Sequence, residues 1–589
     1  MGNIKDLEQI IKGGKVFKDD RGIISNYELE EKINWIGLIT SKKSSMRSNH
    51  YHKYLTQNCF LVSGKYISIL KDLREENSPI ITQIINEGDL SIIPPMVVHV
   101  MIFLENSVFI NLVNGERNHE NYGKGTEHTT PYQLITEEQK EDLLKNYKSN
   151  CRICSNNEIK RVISFGLQPL ANNLLENNKQ KDELYPLELG YCEKCHNCQL
   201  SYVVPPDKLF KNYLYKSSST GDSFRNHFKK AAEKYIKEFE LNEKSLVVEI
   251  GGNDGIFLRH LQDKNIQTIN IEPAENIAKL SKEQGIDTIC GFFVEDGIAK
   301  KILRERGFVD LVTASNVFAH TDKIKQLTLD VFELLKKDGV FVIECQYLYD
   351  TIKDLTFDNI YHEHVSYFSV TSLNNFFNSL DLVLFHVEHI NTHGGSIRCY
   401  IGRKENSRQN SAVNKFLEKE MKTGILKWET YERFLNRVEE KKEILLKNIK
   451  KLKDSGKRIV GYGSPAKATT VLNYYGIDNK YIDFIIEDNE LKHNKFLPGV
   501  RIPIKSKKDL DYTPDYVLVL AWNFLEEIKR NNQDLLDKGV QFITLNDLDV
   551  FEDIKKKLNK PYKFLLPIPP KEIEKELEDY EEFGDHIIF

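Results

Sequence analysis

Val247-Val248-Glu249-Ile250-Gly251-Gly252-Asn253-Asp254-Gly255 is an apolar run that ends in a glycine-rich turn, and Ile256–Gln262 follows it with a helical pattern. A strand covered on both faces reads as a continuous apolar run, and glycines at its end let the backbone approach a ligand. Outward from this stretch the pattern repeats: Thr268–Ile271, Leu311–Ala314 and Val340–Glu344 are apolar runs separated by amphipathic segments. Such alternation predicts a parallel sheet with helices on both faces, with ligands at the C-terminal edge of its strands. The second run ends at Ile271-Glu272-Pro273, where an acid can accept the two hydroxyls of a ribose. The spacing G-x-G-x-x-G of a dinucleotide fold is absent.

Glu249-Ile250-Gly251 followed by Asn253-Asp254-Gly255 is better read as the turn of a class I methyltransferase. Its donor, S-adenosylmethionine, carries no phosphate and needs no phosphate cradle. Glu249, Gly251, Asn253, Asp254, Gly255 and Glu272 are the candidate donor-binding residues, with Asn316 in the loop after Asp310–Ser315. A charged helical stretch, Asn410 to Ser455, reads as a connector, and β/α alternation restarts at Arg458–Tyr462, Tyr481–Ile486, Tyr516–Leu520 and Val540–Thr544. Gly461, Gly463, Ser464 and Lys467 follow the first of these runs and open a helix, a plausible pyrophosphate site.

Toward the N-terminus lie five of the nine cysteines, between Cys151 and Cys198. Cys151-Arg152-Ile153-Cys154 and Cys195-His196-Asn197-Cys198 form two C-x2-C knuckles, and four thiolates close a tetrahedral zinc shell with no open position. Cys192 is an alternative partner for Cys195; the register with Cys195 and Cys198 is preferred because Gln199-Leu200-Ser201-Tyr202 continues directly into a strand. The zinc is expected to be structural. The first 145 or so residues read as short strands without long helices, which predicts an all-β barrel or jelly roll. Within them, His50 and His52 share one face of a strand, and Gly88, Pro94 and His99 follow in the spacing G-x5-P-x4-H.

Lys plus Arg is 82 and Asp plus Glu is 87, a net charge of −5 that argues against an electrostatic nucleic-acid binder. The 589 residues predict about four folded units. No apolar run approaches a membrane span, and Met1-Gly2-Asn3-Ile4-Lys5-Asp6 lacks the features of a signal peptide or myristoylation site. A cytoplasmic protein, with no membrane or nucleic-acid partner, is expected.

The histidine segments resemble the two signature motifs of the cupin superfamily. The context Arg47-Ser48-Asn49-His50-Tyr51-His52-Lys53 looks most like the sugar-nucleotide 3,4-ketoisomerases and 3,5-epimerases, which implies acid–base roles for His50 and His52. Gln57 stands where metal-binding cupins carry Glu, which weakens a metal reading of the barrel and leaves it open. Farther on, Tyr213–Ser218, Asn316–His320, Tyr361–Tyr367, His393–Arg398 and Gly461–Lys467, taken with the knuckles, resemble the nucleotide-sugar C-methyltransferases of mycarose- and tetronitrose-type pathways. The resemblance covers roughly residues 150–550.

The resemblance implies a substrate, a nucleoside-diphosphate 4-keto-deoxysugar that is usually thymidine-linked, with methylation at C3 through an enolate. It implies His364 as base, with Tyr215, His320, Tyr361 and Glu363 positioning the sugar, and His393, Ser396, Arg398, Gly461, Gly463, Ser464 and Lys467 binding the sugar nucleotide. A plain strand would set His362, not Glu363, on the face of His364, so these roles require the segment to bend. The expected architecture is a cupin jelly roll over residues 1–146, a zinc-binding unit over 147–205, a class I α/β methyltransferase core over 206–405, and a helical connector with a Rossmann-like domain over 406–589. A bifunctional enzyme of branched deoxysugar biosynthesis follows, dimeric by default. The alternatives are a C-methyltransferase whose cupin only binds sugar or dimerises, and a methyltransferase of another acceptor.

Overall fold

The computed structural model describes residues 8–547 except 13–15, 20, 21, 26, 28, 30, 31, 34, 75–77, 79, 114–128, 212, 214–216, 218–220 and 407–410. The charged tail after Val550 and Tyr215 lie outside the described residues. The chain divides into two compact units. The first comprises residues 1–147 with 164–168 and 184–188; the second comprises 148–163, 169–183 and 189–589.

In the first unit, one sheet runs Gln9–Lys12, Asp89–Ile93, Gln57–Ser63, Ser107–Val113, Trp35–Ser41. The other runs Thr130–Pro131, Met46–Tyr51, Val97–Phe103, Lys65–Asp72, Ile80–Asn86. Neighbouring strands are antiparallel. From Trp35 to Val113 the chain changes sheet at every step except the hairpin Lys65–Asp72/Ile80–Asn86, which is the winding of a jelly roll. Cys59, Leu61, Tyr66, Ile85, Met101, Phe103 and Phe109 pack together between the sheets, as the alternation of side chains along each strand requires.

The second unit is built on a seven-stranded sheet ordered Thr288–Cys290, Gln267–Glu272, Leu246–Ile250, Val309–Ser315, Leu335–Gln346, Ser396–Arg403, Leu382–Ile390. All neighbours are parallel except Ser396–Arg403, which runs against both of its own. This is the class I methyltransferase arrangement. Ile256–Gln262 and Asp222–Glu238 cover one face through Phe228, Ala232, Phe257 and Leu261. The chain order reverses at Leu246–Ile250, so the loops after this strand and after Val309–Ser315 diverge to opposite faces and leave a crevice. Helices Ser411–Thr423 and Trp428–Asp454 occupy the expected charged stretch. They lead to a parallel five-stranded Rossmann-like sheet ordered Ile504–Lys505, Ile485–Ile486, Ile459–Tyr462, Tyr516–Val519, Gln541–Ile543. A short strand, Cys198–Leu200, pairs on one side with Leu189–Tyr191 and on the other with Ser366–Tyr367. Among the described residues no helix is long and apolar enough to cross a membrane.

Candidate active site

The crevice of the second unit holds a cavity of about 320 Å³. Glu249, Gly251, Asn253, Glu272 and Asn316 line one part of it, and His320, Tyr361, His364, His393 and Lys467 line another. On the first side the backbone is close-packed: Gly251 has φ +65°, and a Cβ there would meet Val317 at 2.5 Å. A Cβ on Gly252 would meet Asn270 Oδ1 at 2.4 Å and Glu249 Oε2 at 2.6 Å. Glu272 accepts from the backbone N–H groups of Asn253 and Ala274 at 3.0 and 2.9 Å. Glu249 Oε2 is buried and has no partner among the described residues. Burial, with Glu272 and Asp254 nearby, pushes the Glu249 carboxyl up to about 8, and burial brings Glu272 to about 7. A small ligand carrying positive charge fits this acid pair. Asp254 and Gly255 shape the turn but do not line the cavity.

On the other side, Tyr361–His364 is a turn closed by His364 N–H donating to Tyr361 O at 3.0 Å, so the segment bends as the family roles require. His364 Nδ1 lies 2.9 Å from the Asn359 carbonyl, which only accepts; Nδ1 therefore carries the hydrogen and Nε2 holds the lone pair. The Tyr361 hydroxyl, 2.9 Å from Nε2, donates to it. His320 stacks on His364 with ring centroids 5.1 Å apart, and its buried Nε2 has no partner among the described residues. Burial holds His364 well below the usual imidazole range, His320 helping, and brings His320 and His393 to about 4. All three are neutral at pH 7. Glu363 does not line the cavity; Tyr213 donates to it at 2.8 Å, as does Asn172, and burial raises its carboxyl to about 7.

Five other expected sugar-nucleotide ligands, Ser396, Arg398, Gly461, Gly463 and Ser464, do not line the cavity. Arg398 is paired across the sheet with Glu344 and Glu388, its carboxylate contacts being 3.1 and 3.6 Å, and Ser396 is buried with its hydroxyl donating to Thr392 O. Gly461 lies inside a strand with its N–H given to Phe484 O. The N–H and hydroxyl of Ser464 both donate to Glu487, so a carboxylate occupies the place a pyrophosphate would need. Gly463, at φ +78°, serves the turn by packing on Ala521. Only Lys467 of that loop reaches the cavity with a charge, its ammonium 3.8 Å from the Trp522 ring centroid and 2.8 Å from Asn523 Oδ1.

The cysteine cluster corrects the expected register. The four sulfurs that converge are those of Cys151, Cys154, Cys192 and Cys195, all within 4.8 Å. The two knuckles are built alike: Ser155 and His196, both left-handed, donate N–H to the carbonyls of Cys151 and Cys192 at 2.8 Å. Cys151 N–H and Cys192 N–H in turn donate to Asn156 O and Asn197 O at 2.8 and 2.9 Å. Sulfurs 3.4 and 3.6 Å apart approach the about 3.8 Å edge of a tetrahedron with zinc–sulfur bonds of about 2.3 Å, so this donor set fits zinc. Cys198 instead opens a strand, fully buried, its thiol hydrogen-bonded with Tyr431.

In the first unit, His50, His52 and His99 bring ring nitrogens within 4.8 Å of one another. His52 Nε2 lies 3.0 Å from Gln57 Oε1, an acceptor, and so carries the hydrogen. The fully buried His99 places Nδ1 3.3 Å from Val97 O, which leaves its unpartnered Nε2 with the lone pair; burial and the two neighbouring histidines hold it neutral.

Three family models match the second unit: a putative zinc binding domain over residues 151–210, a methyltransferase domain over 224–387 and a C-methyltransferase C-terminal domain over 391–545. The chain is 35% identical over 398 residues to C-methyltransferase NovU of Streptomyces niveus, spanning 67% of this chain and 94% of that protein. The chain belongs to the C-methyltransferase family. Among solved structures, this C-methyltransferase is similar to a dTDP-4-dehydrorhamnose 3,5-epimerase from Sulfolobus tokodaii (20% identity, 22% of this chain, 82% of that chain, TM-score 0.19). It is also similar to the sugar 3,4-ketoisomerase QdtA from Thermoanaerobacterium thermosaccharolyticum (21% identity, 23% of this chain, 95% of that chain, TM-score 0.18). At such TM-scores the jelly roll stands on its own strand order. Asn172 and Tyr213 of the C-methyltransferase reach Glu363 across 191 and 150 residues of sequence, contacts that no local pattern announces.

Proposed function

We propose that the second unit transfers a methyl group from S-adenosylmethionine to C3 of a nucleoside-diphosphate 4-keto-deoxysugar, thymidine-linked, in branched deoxysugar biosynthesis in the cytoplasm. The observation that carries this reading is the buried, neutral His364 with its lone pair on Nε2, in one cavity with the acid pair Glu249 and Glu272. S-adenosylmethionine, when bound, supplies an electrophilic methyl group. His364 Nε2 takes the proton from the carbon beside the ketone, and the Tyr361 hydroxyl turns its hydrogen to the oxygen that gains enolate charge. His320 walls this space and holds the imidazole plane, Glu363 anchors Tyr213, and Lys467 faces the anionic part of the sugar nucleotide. Zinc held by Cys151, Cys154, Cys192 and Cys195 has a complete thiolate shell and is structural. The test is methyl gain by mass on a thymidine-diphospho 4-keto-6-deoxyhexose; no gain with intact protein, across a panel of keto sugars, removes the reading.

The donor side gives a pH signature. A cationic donor favours the ionised acids, so its binding releases protons and weakens as pH falls through about 8 and 7. Below both values each coupled proton costs about tenfold in affinity per pH unit. Calorimetric titration with S-adenosylmethionine in two buffers of different ionisation enthalpy measures both effects. Affinity flat between about pH 6 and pH 9 would place the donor away from these acids.

For the first unit we propose epimerase or ketoisomerase activity on the same class of sugar, with His99 Nε2 as proton acceptor and His52, steadied by Gln57, as its partner. Covalent linkage then raises the local concentration of a reactive ketone for the second step. In deuterated water, His52→Ala is expected to lower deuterium entry at its site about 100-fold or more while His364-dependent methyl gain persists. Unchanged exchange returns the barrel to sugar binding or dimerisation.

A further inference from the structure

Arg152 sits inside the first cysteine knuckle, between Cys151 and Cys154, half-buried with its Nε shut off from solvent. Its backbone N–H donates to Gln199 Oε1 at 2.9 Å, which fixes the knuckle to the strand Cys198–Leu200. Its side chain then leaves the cysteine cluster. One terminal nitrogen donates to the Val365 carbonyl and to Ser366 Oγ, and the other to Leu200 O at 3.1 Å. Among the described residues its Nε has no partner, and the Asp322 carboxylate acts on it through charge without an ion pair or hydrogen bond, Leu200, Val365 and Ser366 taking its terminal nitrogens. A partly desolvated cation held by carbonyls instead of a contacting carboxylate is a costly way to gain stability. The planar fork of a guanidinium, by contrast, holds two carbonyls in one fixed geometry.

What it holds is the carbonyl of the residue next to the proposed base. The Val365 carbonyl also accepts from Leu200 N–H at 3.0 Å, and Val365 N–H donates to Ala319 O at 2.8 Å. His364 precedes Val365 and His320 follows Ala319, so one residue, pinned at both its carbonyl and its N–H, bears on both imidazoles of the stacked pair. We propose that Arg152 is a positioning residue for methyl transfer: from inside the knuckle it fixes the Val365 carbonyl, and the placement of His364 and His320 depends on a closed four-cysteine knuckle. The proposal rests on His364 being the base.

The test uses the full chain with Arg152→Lys and Arg152→Gln, zinc content measured for each. Hydrogen exchange is read in the peptide covering Tyr361–Tyr367, beside kcat and KM for methyl transfer. Both variants are expected to keep full zinc, lose about tenfold or more of the protection at His364 and Val365, and keep the protection of Leu246–Ile250. Their kcat falls about tenfold or more with KM for S-adenosylmethionine within about twofold, and lysine does not rescue because it lacks the fork. Protection and kcat both within about twofold of the parent overturn the proposal. Lost protection with unchanged kcat supports the placement role and overturns the base assignment instead. Where a variant does not fold, chelator is added to the parent protein below its unfolding transition. Faster exchange confined to Tyr361–Tyr367 and the knuckles supports the link, and unchanged exchange at Tyr361–Tyr367 after metal loss overturns it.

Discussion

His364→Ala is expected to lower methyl transfer about 10³-fold, within the usual span of 10²–10⁴ for a positioned general base. Deuterium entry at the carbon beside the ketone should fall by the same factor, because that exchange needs only the proton transfer. S-adenosylmethionine affinity should hold, since Glu249 and Glu272 belong to the other part of the cavity. Tyr361→Phe removes the hydrogen bond to Nε2 and the donor to the enolate oxygen. Its expected cost is about tenfold, roughly 1.4 kcal/mol, the scale of one hydrogen bond. The pH profile separates a base from a structural histidine. The imidazole acts when neutral, and burial beside His320 holds it well below the ordinary value of 6.5. The acid limb of kcat therefore lies below 6.5, and the rate is flat from there into the neutral range. Methyl transfer retained in His364→Ala would leave Tyr361 or His320 as the acceptor of the proton.

The glycine turn was legible in the sequence because its chemistry is local. Gly251 must take a positive φ in a crowded place, and an apolar run before it can only be a covered strand. The jelly roll was legible for the same reason, with strands of regular length and, among the described residues, no helix between Trp35 and Val113. Arg398 and Ser396 entered as ligands through the resemblance, which carries no information on what they pair with in the sheet. Only the strand register shows Glu344 and Glu388 on either side of Arg398. Ser464 misled because its carboxylate partner, Glu487, comes 23 residues later on another strand's loop. Asn172 and Arg152 were silent because both act on the Tyr361–Ser366 segment across about two hundred residues.

The cysteine register offers the other large effect. C-x2-C appears twice in the overlapping run Cys192-Glu193-Lys194-Cys195-His196-Asn197-Cys198, so spacing alone cannot choose. The backbone chooses: a knuckle needs a left-handed residue after its second cysteine, and Ser155 and His196 fill that position in matching turns. A continuing strand, which made Cys198 attractive as a ligand, is what removes it, because strand geometry sends its side chain toward Tyr431. Cys192→Ser is therefore expected to lose zinc to a mild chelator and to destabilise the second unit by about 4 kcal/mol or more, the class of loss that follows removal of a structural metal. Cys198→Ala should keep one zinc per chain and cost about 1–2 kcal/mol, the loss of a small buried group and its hydrogen bond. Metal analysis of the two purified variants, beside their thermal unfolding, reads the difference directly. Zinc retained in Cys192→Ser and lost in Cys198→Ala would restore the register of Cys195 with Cys198. It would also require the chain from Tyr191 to Leu200 to abandon its pairing with Ser366–Tyr367, and so to move the segment that carries His364.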